Sequence, residues 1–320
     1  MRPAPRPDRR SDGKPYAGAA GDSITASQTR QNGRSSAGVG GLFRASEGRR
    51  RLDGIMSLWD ADFGRSEAFS RPAENNWTVM PSFILALDTA HQRCSAALLS
   101  RDGEVSVWKS ETVGNKHAER ILAMIDELLA ECGAEKKDIA LTAFGAGPGS
   151  FTGLRVACGV AQGIAWALRT DVAAVCNLEA DALAAAEAAQ LAPGTRLAVM
   201  NDARMQEAYS ALYEVVEGPR GVREVLAPQL VKPADARRWL EEAKVDALCG
   251  SAAGVYAEAF NLPEGFPVHE IPEDMVMRIA RLGLADEAEG RTMIPALASP
   301  LYVRDRVALT MQERARGERL

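Results

Sequence analysis

The sequence is poor in the residues from which metal and nucleophilic sites are built. Three histidines, His91, His117 and His269, serve 320 residues. No two of them stand four apart, the spacing that sets a pair of imidazoles on one helix face. Four positions after His117 comes Ile121, and four before it Val113. Five cysteines, Cys94, Cys132, Cys158, Cys176 and Cys249, form no pair at metal or redox spacing. An odd number of scattered thiols suits a reducing compartment and argues against a disulfide framework. No Gly-Lys-Ser/Thr string follows a glycine-rich turn, which excludes a P-loop, and no serine or cysteine stands in a nucleophile elbow. The longest apolar run, Val156 to Leu168, is interrupted by Gln162 and falls short of a membrane span. Nothing near the start resembles the apolar stretch of a secretory signal. The expectation is a soluble, cytoplasmic chain with no membrane attachment and no histidine-built metal site.

Charge is spread unevenly. Residues 1–79 hold 13 basic and 9 acidic side chains, whereas 80–320 hold 25 and 34. A body carrying net −9 is a poor match for a phosphate backbone, so in any RNA reaction a partner is expected to make most of the RNA contacts. Residues 1–79 are rich in Arg, Gly, Ser, Ala and Pro and short of aliphatic residues, a composition that predicts disorder. Three readings stand for this extension: a translation start assigned upstream of the true one at Met80, a natural tail, or a transit peptide. Asp8, Asp12 and Asp22 speak against the last.

Patterned sequence begins abruptly at Met80. Phe83 to Leu87 predicts a buried strand, Asp88-Thr89-Ala90 a turn, and Cys94 to Leu99 and Val105 to Lys109 two further strands of an antiparallel meander. A helix is predicted over 117–131, where Ile121, Leu122, Met124, Ile125, Leu128 and Leu129 fall on one stripe. The strand Ile139 to Phe144, a glycine-rich turn and a small-residue helix over 153–168 follow. The opening then recurs: Leu197 to Asp202 is again an apolar strand ending at aspartate, with a second strand over 207–216. This predicts an α/β chain of two related domains, 80–192 and 193–310, parting at Pro193-Gly194, with 311–320 as a tail. Helices near 233–243 and 273–287 and a strand at 246–249 complete the second.

The densest local feature is Gly145-Ala146-Gly147-Pro148-Gly149-Ser150-Phe151-Thr152-Gly153-Leu154-Arg155, between a strand and a helix. Its helix N-terminus could hold a phosphate or nucleotide, with Ser150 and Thr152 as capping residues. Equally, its glycines could serve only close strand–helix packing. Asp88 and Asp202, each ending an apolar strand, could position Mg²⁺ or phosphate, or simply cap turns. The stripe on 117–131 and the small face of 153–168, with Gly153, Ala157, Ala161 and Ala165 at four-residue spacing, suit either this chain's own core or a partner helix.

These residues resemble a known family. Ile84-Leu85-Ala86-Leu87-Asp88-Thr89, Gly147 through Arg155, Asp202-Ala203-Arg204 with Glu207-Ala208-Tyr209, and Pro300 to Asp305 with Val307-Ala308 are similar to the signature blocks of the TsaB (YeaZ) family. The resemblance covers about residues 82–310. It implies an actin-like, sugar-kinase/Hsp70-type (ASKHA) fold of two related domains with mixed sheets flanked by helices. It further implies a scaffold role without catalysis, in the complex that forms N6-threonylcarbamoyladenosine beside the tRNA anticodon. The implied partners are a TsaD-type catalytic paralogue and a TsaE-type ATPase, with tRNA met only through the complex and a homodimer as the state open to the chain alone. ATP or ADP with Mg²⁺ is expected in that complex and not in isolation. The paralogue's two metal histidines lie four apart on a helix, and here only His117 remains, with Ile121 in the second place. By the resemblance, Ile121, Met124, Ile125, Leu128, Ala157 and Ala161 become candidates for the partner surface. Asp88, Thr89, Gly147, Pro148, Gly149, Ser150, Thr152, Gly153, Arg155, Asp202 and Arg204 are the candidates for a phosphate-like turn. Two other classes stay open: a glycoprotease-like metallopeptidase, which needs a metal, and an ATP-dependent kinase-like protein using Asp88, Asp202 and the glycine turn.

Overall fold

The computed structural model describes residues 82–304 except Asn115, together with Arg316. The expectations for 1–79, for a start at Met80 and for most of the tail lie outside the described residues, as do Asp305, Val307 and Ala308.

Two five-stranded mixed sheets dominate the chain. The meander strands β1 (Phe83–Asp88), β2 (Arg93–Ser100) and β3 (Ser106–Thr112) run antiparallel. Strand β4 (Ile139–Gly147) then lies parallel to β1, and β5 (Asp171–Cys176) parallel to β4, giving the order β3-β2-β1-β4-β5. The second sheet is made of β6 (Arg196–Asp202), β7 (Ala208–Val215), β8 (Val222–Val231), β9 (Ala247–Cys249) and β10 (Val268–His269). Its order is β8-β7-β6-β9-β10, with the same sequence of antiparallel and parallel pairs. Strand for strand the two sheets match, so the repeated strand–Asp opening marks a repeated topology.

Helices make three further layers. On the outer face of the first sheet lie α1 (His117–Cys132) and α2 (Phe151–Leu168). Outside the second sheet lie α4 (Pro233–Glu242) and the single turns α5 (Ala252–Val255) and α6 (Ala257–Phe260). Between the sheets sit α3 (Asn177–Ala188) and α7 (Val276–Ala288). Strand β1 shows why the central strands are apolar throughout. Ile84 and Ala86 face the α3/α7 layer, while Phe83, Leu85 and Leu87 face α1 and α2. A strand covered on both faces has no polar alternate. Helix α2 is, among the described residues, the one helix long and apolar enough to cross a bilayer by length and composition alone. Here its Leu154, Ala157, Ala161 and Ala165 are packed into the protein core.

The middle helices are exchanged between the halves. Helix α3 leaves the first sheet to pack on β6, β7 and β8, and α7 leaves the second to lie across β1, β2, β4 and β5. Gly283 permits that close approach, since an added Cβ would stand 2.6 Å from Ala143 Cβ. Residues 276–288, expected within the second half, therefore cover the first sheet. Arg220 bridges the exchanged pair, binding Glu179 of α3 at 2.5 Å and Asp286 of α7 at 2.8 Å. Arg278 and Arg281 of α7 both reach Glu187 of α3. A last segment, 295–304, runs back along α2. Gln162 donates to the carbonyls of Pro295 and Ala298, the Leu301 amide donates to Ala146 O at 2.7 Å, and Arg304 ends on Ala203 O and Glu207.

Candidate functional site

The helices considered for a partner surface come first. Ile121, Met124, Leu128, Ala157 and Ala161 are 0% exposed and Ile125 is 2% exposed. All six belong to the core between α1, α2 and the first sheet. They are not surface residues, and of the two packing readings the intramolecular one holds for them. The outward face of the same helices carries other residues: Leu122, 52% exposed, on α1, and Gly159 and Gly163 on α2, where an added Cβ would meet nothing within 4 Å. Half-buried Val156, Val160 and Ile164 flank those glycines.

The glycine turn is packed against backbone. A Cβ on Gly153 would fall 1.8 Å from Thr89 O, one on Gly149 2.8 Å from Ala90 Cβ, and one on Gly147, at φ +127°, 2.5 Å from Leu301 O. Two of the amides that an anion would need are already committed. Gly147 N donates to Asn177 Oδ1 at 2.7 Å and Ser150 N to Ala90 O at 2.7 Å. Thr89 Oγ1 donates to Gly153 O at 2.7 Å, and Ser150 caps α2 by accepting from Gly153 N. Pro148 is buried, and Thr152 is exposed beyond the cap. Arg155 stacks over Phe151 and donates to Tyr302 Oη at 3.1 Å. The close-packing reading is therefore the one this geometry supports.

The two strand-ending aspartates begin alike and then diverge. Asp88 Oδ1 accepts from Ala90 N at 3.1 Å, and Asp202 Oδ1 accepts from Arg204 N at 2.8 Å, the same turn in each half. Asp202 is then tied up by Tyr256 Oη at 2.6 Å and by Arg204, whose own side chain is largely exposed. Asp88 instead accepts from Asn177 Nδ2 at 2.9 Å and lines a cavity of about 630 Å³ that reaches both sheets. None of the other turn candidates lines that cavity. Asp88 adjoins the glycine turn through Asn177, which donates to Asp88 Oδ1 and accepts from Gly147 N, whereas Asp202, also needed by a kinase-like reading, does not line the cavity.

The second acidic wall of the cleft is Asp181 of α3, a residue sequence reasoning passed over. It is 2% exposed, and its Oδ2 accepts from Asn201 Nδ2 at 2.7 Å. Burial pushes its carboxyl up to about 6, with the charge of Asp88 adding to the rise and His91 and the Asn201 hydrogen bond opposing it. A signal was available. Asn177 and Asp181 stand at i and i+4 in an alanine-rich segment that is otherwise apolar on that face, and residues 177–186 are all buried.

The donor set around His117 does not fit a metal. Its Nε2 lies 3.0 Å from His91 O, Ile121 beneath it is aliphatic, and burial pushes the nearby Cys94 thiol up to about 12. Among the described residues no three His, Cys, Asp or Glu side chains are grouped to hold an ion.

Comparison with known proteins agrees with this architecture. The chain matches the family model described as TsaD, tRNA N6-adenosine threonylcarbamoyltransferase, over residues 110–308. It is 33% identical to the tRNA threonylcarbamoyladenosine biosynthesis protein TsaB of Escherichia coli over 238 residues, covering 70% of this chain and 96% of that protein. It is 39% identical to the TsaB of Haemophilus influenzae over 164 residues, 49% of this chain and 67% of that one. The solved structure of YeaZ from Pseudomonas aeruginosa superimposes with a TM-score of 0.57 at 30% identity, over 69% of this chain and 99% of the other. With two sheets of one repeated topology flanked by helices, the fold is the actin-like, sugar-kinase/Hsp70 type, and the chain belongs to the TsaB (YeaZ) family of tRNA threonylcarbamoyladenosine biosynthesis proteins.

Proposed function

We propose that this chain is a non-catalytic accessory subunit that pairs with a TsaD-type paralogue and works in the cytoplasm alongside a TsaE-type ATPase. The observation that carries this reading is Ile121. Where the paralogous chemistry needs a second imidazole, an aliphatic side chain is sealed in the core at 0% exposure. An imidazole there would displace packed apolar atoms, so the position serves folding. With no metal-competent donor set among the described residues, the metallopeptidase reading lacks support for its chemistry there. Contact with tRNA and with Mg-nucleotide then falls to the other subunits, in keeping with the acidic body of this one.

The partner surface suggested by the geometry is the outward face of α1 and α2, centred on Gly159 and Gly163 with Leu122 beside them. Open glycines between branched side chains let a second helix approach closely. Co-purification with the TsaD-type paralogue tests the reading. Gly159→Arg should leave the circular dichroism and melting of the isolated chain unchanged while abolishing the pairing. Depletion of the chain should lower threonylcarbamoyladenosine in cellular tRNA. Full transfer activity by the chain alone, or pairing undisturbed by the bulky substitution, would sink it.

A further inference from the structure

The cleft between the sheets contains two buried carboxylates that, among the described residues, no Lys or Arg pairs with, His91 being the imidazole whose charge acts on Asp181. Asp88 is 3% exposed and Asp181 2% exposed, and both line the 630 Å³ cavity. Their protein partners are neutral amides: Asn177 and Ala90 N on Asp88 Oδ1, Asn201 on Asp181 Oδ2. Among the described residues no donor reaches Asp88 Oδ2 or Asp181 Oδ1. Neither free oxygen is sealed into the core, so each is open to a donor that enters the cleft. Arg93, on the same wall, is committed to Glu273 at 3.0 Å and to Ser110. Glu270 and Glu273 add further negative charge at the rim, beside His91 and His269. Such a lining repels a polyanion. It also lacks the third ligating side chain a metal would need. The lining also includes the apolar side chains of Val268, Ile271, Met275 and Val276. The volume lies within the range of about 300–1,000 Å³ typical of small-molecule pockets.

We propose that this cleft binds a small organic cation, a ligand whose primary ammonium group sits between Asp88 and Asp181 while its aliphatic part lies along Val268, Ile271 and Val276. The ammonium supplies donors to the two carboxylate oxygens the protein leaves unmet, and its charge offsets their burial. Asn177 and Asn201 act as positioning residues that fix the remaining oxygens of each carboxylate. This site is separate from the α1/α2 face and does not depend on the pairing proposed above.

Isothermal titration of the full chain tests it, with n-butylamine, putrescine and spermidine as probes, n-butanol as the neutral isostere, and MgCl₂ and Mg-ATP as competing ligands. At least one amine is expected to saturate while butanol gives no heat. Asp181→Asn and Asp88→Asn are each expected to weaken that amine by about thirtyfold or more, as for loss of one partner of a buried charge pair. Gly254→Phe, at the cavity wall where an added Cβ meets nothing within 4 Å, should block binding without touching either carboxylate. A melting curve for each variant separates lost binding from lost folding. Silence of all three amines up to about 10 mM, far weaker than a specific site, would overturn the proposal. So would amine binding unaltered in Asp181→Asn, or saturation by Mg²⁺ or Mg-ATP with the amines inert.

Discussion

Replacing Asp181 by asparagine should make the unliganded protein more stable at neutral pH. The substitution keeps an oxygen for Asn201 Nδ2 to bind and removes only the buried charge. The carboxyl of Asp181 is raised from 3.8 to about 6 by burial. The native state therefore holds this proton more tightly than the unfolded chain does. Stability contributed by Asp181 is present in full below pH 4 and is lost as pH rises through 6. At about 1.36 kcal/mol per pKa unit, a rise of roughly two units makes the loss ~3 kcal/mol above pH 7. Urea unfolding followed by far-UV circular dichroism, at pH 4.5 and 7.5 on both proteins, measures it. Titrations of groups that do not interact with Asp181 cancel in the comparison, whereas those of His91 and Asp88, which do, contribute to the difference. The variant should gain ~3 kcal/mol at the higher pH, shrinking towards zero at the lower, with unchanged m values. Equal or lower stability of Asp181→Asn at pH 7.5 would refute the claim that burial makes the ionised carboxylate costly there.

The partner-free chain should distinguish core from surface on α1: Ile121→Ala is expected to cost about 2–5 kcal/mol, and Leu122→Ala, half exposed, within about 0.5 kcal/mol of nothing, by urea unfolding without any partner. The glycines of α2 should split likewise. Gly153→Ala drives a methyl into Thr89 O and should lower stability by about 3 kcal/mol or more, whereas Gly159→Ala, in open space, should raise it by up to about 1 kcal/mol. Thermal melts read both. Arg220→Ala strands Glu179 in the α3/α7 layer and should cost about 3–5 kcal/mol, while Arg220→Lys recovers part of that loss.

Much of this architecture was legible in the chain itself. The apolar run 83–87, the stripe on 117–131 and the repeat of a strand ending at aspartate are local patterns, and local patterns fix strand and helix positions through side-chain period. Helix α1 runs 117–132 where 117–131 was expected, and β6 runs 196–202 where 197–202 was. The absence of a second imidazole after His117 is likewise a property of sequence alone. A stripe, however, states only that a face is covered and is silent about what covers it. For Ile121, Met124, Ile125 and Leu128 the cover is the chain's own first sheet, whereas Leu122, placed on the same stripe, faces outward at 52% exposure.

The glycine turn shows the same limit. Its composition permitted either an anion or a close neighbour, and only the arrival of Thr89 and Leu301, from 64 residues before Gly153 and more than 100 after Gly147, settled which. The exchange of α3 and α7 between the sheets, and with it the descent of Asp181 into a shared cleft, depends on contacts separated by about a hundred residues. Periodicity carries no information across such distances. Residue order thus dictated the elements, their repeat and the missing ligand, whereas long-range packing chose which faces meet, which stay open and which carboxylates are buried in the cleft.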